Sequence, residues 1–384
     1  MPITRRTFVR TAGAGAAGWW MAGRGREAAA FDLGAWLAPP ADGAAPIILN
    51  SNENPVGPFA PVVQAVVGAC HDANRYPFAT VADVTALVAR TYGVAPGNVL
   101  LGTGSTQVLR TAVQVFTAAD RPLVEPLSTF ETPGQYANII GTPIRTVPLT
   151  PAMHFDLDAL ADAARGAGVV FFCNPNNPVA NAVGGHDTRA FIDAVHRVSP
   201  ETTILVDEAY FHYATMPGYE TMIPVAAADP RVVVARTFSK AFGMAGLRLG
   251  FAVGHQDTIK KMAAWDGTMT VNVLALAGAH GGLTMDPAIL KTEQQRNTAV
   301  RAFATKWFAD RGYASTDSQA NFIFVDVKRP TKAFRDACTK AGVLVGRDFP
   351  PYATYCRITV GTMAEMQQAV KVFEQVLATP ARAA

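Results

Sequence analysis

The sequence predicts an α/β fold, with a large part built on a mostly parallel sheet and a smaller α+β part at its C-terminal end. Short runs rich in Val, Ile and Phe recur at Val169–Cys173, Thr203–Val206, Arg231–Ala235 and Leu249–Val253. Each ends at a polar or Gly-containing segment, and stretches with helical character alternate with such runs, as in sheets buried on both faces. After residue 270 the pattern changes to helix, strand, helix and two short strands. At 384 residues, 49% hydrophobic and 16% charged, the chain has the length for two or so domains and for a large core.

Residues 1–30 read as a leader. Arg5 and Arg6 precede Thr7-Phe8, a Gly/Ala-rich run spans Ala12 to Ala22, and Ala28-Ala29-Ala30 follows. These are the charged, apolar and small-residue parts of a secretory signal. The arginine pair resembles a twin-arginine (Tat) export signal, which implies the Tat machinery as a partner and a periplasmic destination. That route carries folded proteins, so a ligand can be bound before export. The apolar run is shorter than the ~20 residues a bilayer span needs. No other such run follows, so no membrane insertion is expected after processing.

The remaining segments follow in order. Residues 31–60 contain Pro39, Pro40, Pro46, Pro55 and Pro58 and read as an irregular N-terminal arm. Residues 61–270 form the large domain. Helices are expected at Val62–Cys70 and Val81–Tyr92. A strand at Asn98–Leu101 runs into Gly102-Thr103-Gly104-Ser105 and a helix at Thr106–Phe116. A strand at Leu123–Glu125 precedes the four apolar runs. Residues 271–384 form the small domain, with strands at Phe322–Val327, Val343–Val345 and Cys356–Val360 and a helix at Thr331–Ala341. In such sheets ligands bind beyond the carboxyl ends of the strands, where the polar clusters lie.

Composition narrows the function. The formal net charge is +3, but residues 1–30 carry five Arg against one Glu, leaving the rest of the chain at −1. That argues against nucleic-acid binding. Cys70, Cys173, Cys338 and Cys356 are far apart with no CxxC, so neither a disulfide scaffold nor a zinc ribbon is expected, and no metal site is read.

Four segments carry chemistry. Lys240 is the first lysine of the chain and stands among Thr237, Ser239 and small apolar residues. A desolvated lysine has a depressed pKa and becomes a nucleophilic amine. Asp207 emerges directly from an apolar strand, where a carboxylate is costly unless it meets a cation; an N-cap is the plain alternative. Asn174-Pro175-Asn176-Asn177-Pro178 also follows an apolar strand and is by itself a tight turn. Gly102-Thr103-Gly104-Ser105-Thr106 sits between strand and helix and offers free N–H groups to an anion such as phosphate. It has neither GxGxxG nor the Gly-Lys-Ser/Thr of a P-loop, which weakens a dinucleotide or NTP reading.

Taken in order, Gly104-Ser105-Thr106, Phe130, Asn177, Asp207 with Tyr210, Ser239-Lys240, Arg248 and Arg357 in Arg357-Ile358-Thr359-Val360-Gly361-Thr362 resemble the fold-type I pyridoxal-phosphate aminotransferases. Leu49-Asn50-Ser51-Asn52-Glu53-Asn54-Pro55 and Arg75-Tyr76-Pro77 are similar to signatures of the histidinol-phosphate aminotransferase branch. The resemblance spans about residues 46–375.

The resemblance implies pyridoxal 5'-phosphate as cofactor, amino-acid and 2-oxo-acid substrates, and a homodimer with shared active sites. Lys240 would form the Schiff base and later shuttle the proton at Cα. Asp207 would pair with the pyridine nitrogen and keep the ring an electron sink. Tyr210 and Asn177 would bond the ring 3-oxygen, and Phe130 would stack on the ring. Gly104, Ser105, Thr106, Thr237, Ser239 and Arg248 would form the phosphate cup, and Tyr76 would reach the neighbouring subunit's cofactor phosphate. Arg357 would clamp the donor's α-carboxylate. Asn54 and Arg347 join the substrate side, Arg347 either as a ligand for a distal anion or paired with Asp348.

Three positions depart from that pattern. Val179-Ala180 stand where Thr-Gly is usual, so Ala180 must avoid a positive φ or be strained there. Phe130 stands where Tyr is common, and Thr106-Gln107 replace acidic residues. The export signal also conflicts with a phosphorylated cytoplasmic substrate, so a different amine or amino acid is expected. A decarboxylase or an oxidative deaminase on the same scaffold would use the same cofactor residues, and a non-catalytic cofactor-retaining module or an exported solute-binding protein also stays open.

Overall fold

The computed structural model describes residues 46–266 and 270–378. The expected leader and the first half of the arm lie outside these residues. A seven-stranded sheet forms the centre. Its strands are β2 (Val99–Gly102), β3 (Leu123–Pro126), β4 (Ile144–Val147), β5 (Val169–Cys173), β6 (Thr203–Asp207), β7 (Val232–Thr237) and β8 (Gly250–Gly254), in the order β2-β8-β7-β6-β5-β3-β4. The pairs β3–β4, β3–β5, β5–β6 and β6–β7 are parallel, whereas β8 runs antiparallel to both β7 and β2. The reason is the connection. Helices Ser105–Phe116, Thr132–Ile140, Leu157–Ala163, Gly185–Val198 and Ile223–Ala228 carry the chain back after β2, β3, β4, β5 and β6. After β7 only residues 238–249 intervene, with no crossover helix, so the chain returns as an antiparallel neighbour. Lys240 lies in that return.

β5, β6, β7 and β8 are buried along their whole length. Their side chains alternate between two cores. Val170, Phe172, Ile204, Val206, Val232 and Val234 pack on one face, and Val169, Phe171, Cys173, Leu205, Val233 and Ala235 on the other. Both faces are covered by helices, which is why these strands read as continuous apolar runs. β4 differs: Ile144 is partly buried, Arg145 and Thr146 are exposed and only Val147 is buried, as befits an edge strand.

Helix Val273–Thr284 packs against helix Ala60–Ala69, and its Ala275, Leu276 and Ala279 belong to the core that covers the sheet. A separate core gathers Val300 and Phe308 of helix Pro287–Ala309, Phe334 of helix Thr331–Lys340 and Phe373 of helix Met363–Ala378 around β9 (Phe322–Asp326) and β11 (Tyr355–Thr359). These two strands are antiparallel, with Arg357 opposite Phe324. The arm is not wholly irregular. Ile47–Leu49 forms β1 and pairs in parallel with β10 (Val343–Val345), and Leu49 enters the second core. Among the described residues no single helix is long and apolar enough to cross a membrane.

Candidate active site

The carboxyl ends of β2, β3, β5, β6 and β7 open on a cavity of about 500 Å³, which the arm and β11 also line. One end of it is a cradle of donors. Gly104 caps helix Ser105–Phe116 with φ 73°, and no side chain closes the helix start. Ser105, Thr106, Thr237, Ser239 and Arg248 all line the cavity there. Arg248 adopts φ 60° and donates from Nη1 to Ser239 Oγ at 3.4 Å and to the Ala245 carbonyl at 3.0 Å. Ser239 N–H donates to Thr237 Oγ1 at 3.1 Å. A helix N-terminus, hydroxyls and a guanidinium converging on one space suit a phosphate-like anion.

Asp207 is the last residue of β6 and is buried. Its Oδ1 accepts from the Ala209 N–H at 3.1 Å. Burial pushes its carboxyl up to about 7, against the opposing pull of that N–H and of Lys240. The next residue, Glu208, has its charge met by Arg236 at 2.7 Å, deep in the interior. Among the described residues Asp207 has no such ion pair, so the cavity holds a buried carboxyl group suited to an incoming cation.

Lys240 extends into the same cavity, where its Nζ donates to the Ser51 carbonyl at 3.3 Å. Desolvation, then the charge of Arg357, lowers its pKa to about 8; Glu53 and Asp207 oppose this. The hydroxyl of Tyr210 accepts from Asn52 Nδ2 at 3.0 Å and from Asn177 Nδ2 at 3.5 Å. Burial raises the pKa of that hydroxyl, so it stays protonated at neutral pH. Arg357 Nη1 donates to Asn177 Oδ1 and its Nη2 to the Asn50 carbonyl, both at 2.8 Å, while its buried Nε has no partner among the described residues. A network of arm, β5 loop and β11 therefore surrounds the amine.

The structure brings Ser105, Thr106, Phe130, Asn177, Asp207, Tyr210, Thr237, Ser239, Lys240, Arg248, Arg347 and Arg357 to one cavity. Gly104 contributes backbone only, at the helix start. Two expected residues lie elsewhere. Asn54 does not line the cavity: its amide donates to the Ala241 carbonyl at 2.9 Å and its Oδ1 accepts from Val56 N–H at 3.0 Å, so it fastens the arm to the lysine loop. Tyr76 is 79% exposed beside Phe78, away from the cavity of its own chain. Arg347 pairs with Glu131, not with the Asp348 carboxylate, which goes to Arg335 at 3.2 Å. Ala180 does adopt a positive φ, 68°, with its N–H on the Asn176 carbonyl at 2.8 Å and its own carbonyl on Gln319 N–H at 2.7 Å. Sequence reasoning missed Asn52, Glu53, Thr129, Glu131 and Phe349 as cavity residues. The first two lie inside the Asn-rich arm motif, so a signal was present; the others are unremarkable until the chain folds.

Comparison with known proteins agrees with this geometry. Residues 45–373 match the family described as aminotransferase class I and II. The chain is 36% identical over 304 residues to an aromatic amino acid aminotransferase of Thermobifida fusca, covering 77% of this chain and 82% of that one. It is 32% identical to a histidinol-phosphate aminotransferase of Symbiobacterium thermophilum, covering 86% and 90%. The solved histidinol-phosphate aminotransferase of Sinorhizobium meliloti, in complex with pyridoxal-5'-phosphate, superposes with a TM-score of 0.79 at 27% identity, covering 86% of this chain and 90% of that one.

Proposed function

The chain belongs to the class I and II aminotransferases, and from that premise we propose how its own residues carry the reaction. It is a pyridoxal-phosphate-dependent transaminase that moves an amino group between an amino acid and a 2-oxo acid. A decarboxylase is not favoured, because the relatives above 30% identity named here are aminotransferases.

The residues fit the cofactor. Asp207, a buried carboxylate without an ion pair, suits the protonated ring nitrogen, and the single observation that carries the reading is this carboxylate in one cavity with Lys240 and the anion cradle. Ser105, Thr106, Thr237, Ser239, Arg248 and the helix start would hold the phosphate. Tyr210 and Asn177 would hold the ring oxygen, and Phe130 its face. When bound, pyridoxal phosphate supplies the aldehyde carbon that takes the amine and the ring that accepts electrons from Cα.

The chain's own groups do the rest. Lys240, with its pKa lowered to about 8, keeps about a tenth of its amine neutral at pH 7 and about half at pH 8. Its Nζ would take the proton from the substrate Cα and return it two atoms away, across the nitrogen, to the former aldehyde carbon. Arg357 holds the substrate carboxylate and so fixes which bond at Cα faces that amine. The Asn52–Tyr210–Asn177 bonds keep the Tyr210 hydroxyl in place throughout.

Two further readings belong to this proposal. The exposed Tyr76 and Phe78 support a homodimer in which Tyr76 completes the neighbour's cradle. Arg5-Arg6 and the small-residue site support Tat export to the periplasm with the cofactor aboard. Spheroplast fractionation tests the second; a wholly cytoplasmic protein with an intact leader overturns it. The activity is tested by the visible spectrum of the purified protein. The cofactor band should fade with amino-acid donors and return with a 2-oxo acid, and Lys240→Ala should abolish the cycle. A band that never converts refutes transamination.

A further inference from the structure

Besides Lys240 and the residues given to the cofactor, four charged side chains line the cavity: Arg357, Arg347, Glu131 and Glu53. Two are positive and two negative. With Arg357 given to the α-carboxylate under the transaminase reading, the remaining set offers no surplus cation to a second anionic group. Arg347, read from the sequence as a site for a distal anion, is already engaged. Its Nη2 contacts Glu131 Oε2, and its Nη1 donates to the Asp348 carbonyl at 2.9 Å. Its guanidinium also stacks 4.2 Å from the centroid of Phe349, whose ring lies 4.8 Å from the Arg357 guanidinium. Asp348 is tied to Arg335 at 3.2 Å, and the Gly346 N–H is bonded to the Arg357 carbonyl at 2.9 Å, so the segment that carries Arg347 is pinned at both sides.

Glu131 stands at the start of helix Thr132–Ile140, where Gln135 Nε2 donates to its Oε2 at 3.4 Å. The Glu131–Arg347 pair is half exposed and contributes little to stability. Its consequence falls on ligands. A substrate with a distal carboxylate must either displace Glu131 from Arg347 or sit beside a like charge. An uncharged side chain does neither, and meets Phe130 and Phe349.

We propose that Glu131 is a specificity-determining residue, which neutralises Arg347 and biases the enzyme toward amino acids with uncharged, apolar or aromatic side chains and against those with a distal anion. This rests on the transaminase reading, with Arg357 on the α-carboxylate. Discrimination of this kind works as much by rejecting the wrong ligand as by attracting the right one.

The test is a single-turnover measurement of the loaded enzyme with phenylalanine, leucine, aspartate and glutamate as donors, which needs no acceptor. Wild type should convert phenylalanine and leucine faster than aspartate and glutamate. Glu131→Gln should raise the aspartate-to-phenylalanine ratio of rate over affinity at least tenfold. Glu131→Gln with Arg347→Gln should take that gain back. Calorimetric titration with succinate and with 3-phenylpropionate gives a readout independent of turnover: Glu131→Gln should tighten succinate at least tenfold relative to 3-phenylpropionate. A ratio shift under threefold in both measurements, or a wild type that prefers the dicarboxylic donors, overturns the inference. If no donor reacts in any form, the transaminase reading fails instead, and the succinate titration still decides the role of Glu131.

Discussion

The guanidinium of Arg248 lies where a β-carbon on Gly104 would stand, with its Nη2 2.5 Å from that position. Gly104 also sits at φ 73°, a conformation that any other residue adopts only with strain. Two requirements thus meet in one residue, and both serve the cradle. Gly104→Ala is expected to push Arg248 off its bond to Ser239 and weaken pyridoxal-phosphate affinity at least tenfold, measured by equilibrium titration of the apoprotein. The fold itself should lose only about 1–2 kcal/mol, the scale of one strained residue. Unchanged affinity would remove Arg248 from the cradle.

Asp207 gives a stability prediction with a definite sign. Burial raises its pKa from 3.8 to about 7 in the folded apoprotein. As pH rises, the unfolded chain therefore loses this proton first. Between about pH 4 and pH 7 the native state binds more protons, so apoprotein stability falls with pH and then levels off. The full effect is on the order of 4 kcal/mol, taking ~1.4 kcal/mol per pH unit. Asp207→Asn should melt above the wild-type apoprotein at pH 8, with the gap closing by pH 4. Added cofactor should stabilise the wild type more than Asp207→Asn, in which Lys240 and the cradle remain but the ring-nitrogen partner is lost. A gap independent of pH would show that Asp207 is not the group that titrates.

Legibility in the sequence followed burial and distance along the chain. Val169–Cys173 was readable to the residue because both faces are buried and the run is wholly apolar. Ile144–Val147 was not, because an edge strand with Arg145 and Thr146 exposed carries no such run. Ile47–Leu49 looked irregular among its prolines because its partner, Val343–Val345, lies far away in the chain. The site shows the same division. Lys240, Asp207 and Arg357 are chemically unusual where they stand, so they were found. The rest of the cavity wall was legible only in part: Arg347 was read as a substrate-side residue, but its partner Glu131 was not, since the pair forms only when helix Thr132–Ile140 meets the loop before β11. Asn54 shows the converse: motif membership points to the substrate side, whereas its hydrogen bonds fasten the arm and it does not line the cavity.

The pKa of Lys240 sets the rate of cofactor capture. Only the neutral amine attacks an aldehyde, and the protonated fraction dominates below about pH 8. The rate at which apoprotein takes up pyridoxal phosphate, followed by absorbance after mixing, should rise about tenfold per pH unit up to that point and then flatten. Arg357 is the largest charge lowering this pKa, so Arg357→Gln should move the midpoint to higher pH. A midpoint near 10 in the wild type would mean that the lysine is solvated as an ordinary surface amine.

The pair Glu208–Arg236 joins the residue after β6 to its parallel neighbour β7, next to the register pair Asp207 and Ala235. Glu208 follows Asp207 in sequence and Arg236 precedes Thr237, so the pair holds both site residues by their backbones. Arg236 is also stacked 3.8 Å from the centroid of Phe211 and donates to Thr221 Oγ1 at 2.9 Å, while Glu208 accepts from the Met222 N–H at 2.7 Å. Removing one partner leaves the other charged and buried, which costs about 3–5 kcal/mol. Arg236→Met should therefore be severely destabilised in urea unfolding. Glu208→Gln with Arg236→Met removes both charges and should recover most of that loss, since a buried pair adds little over a neutral packing of similar volume. The recovered double variant then isolates the positioning role. If the pair merely fills space, its cofactor affinity will match the wild type; if it aligns Asp207 with Thr237, affinity will stay at least tenfold weaker in a protein that is otherwise stable.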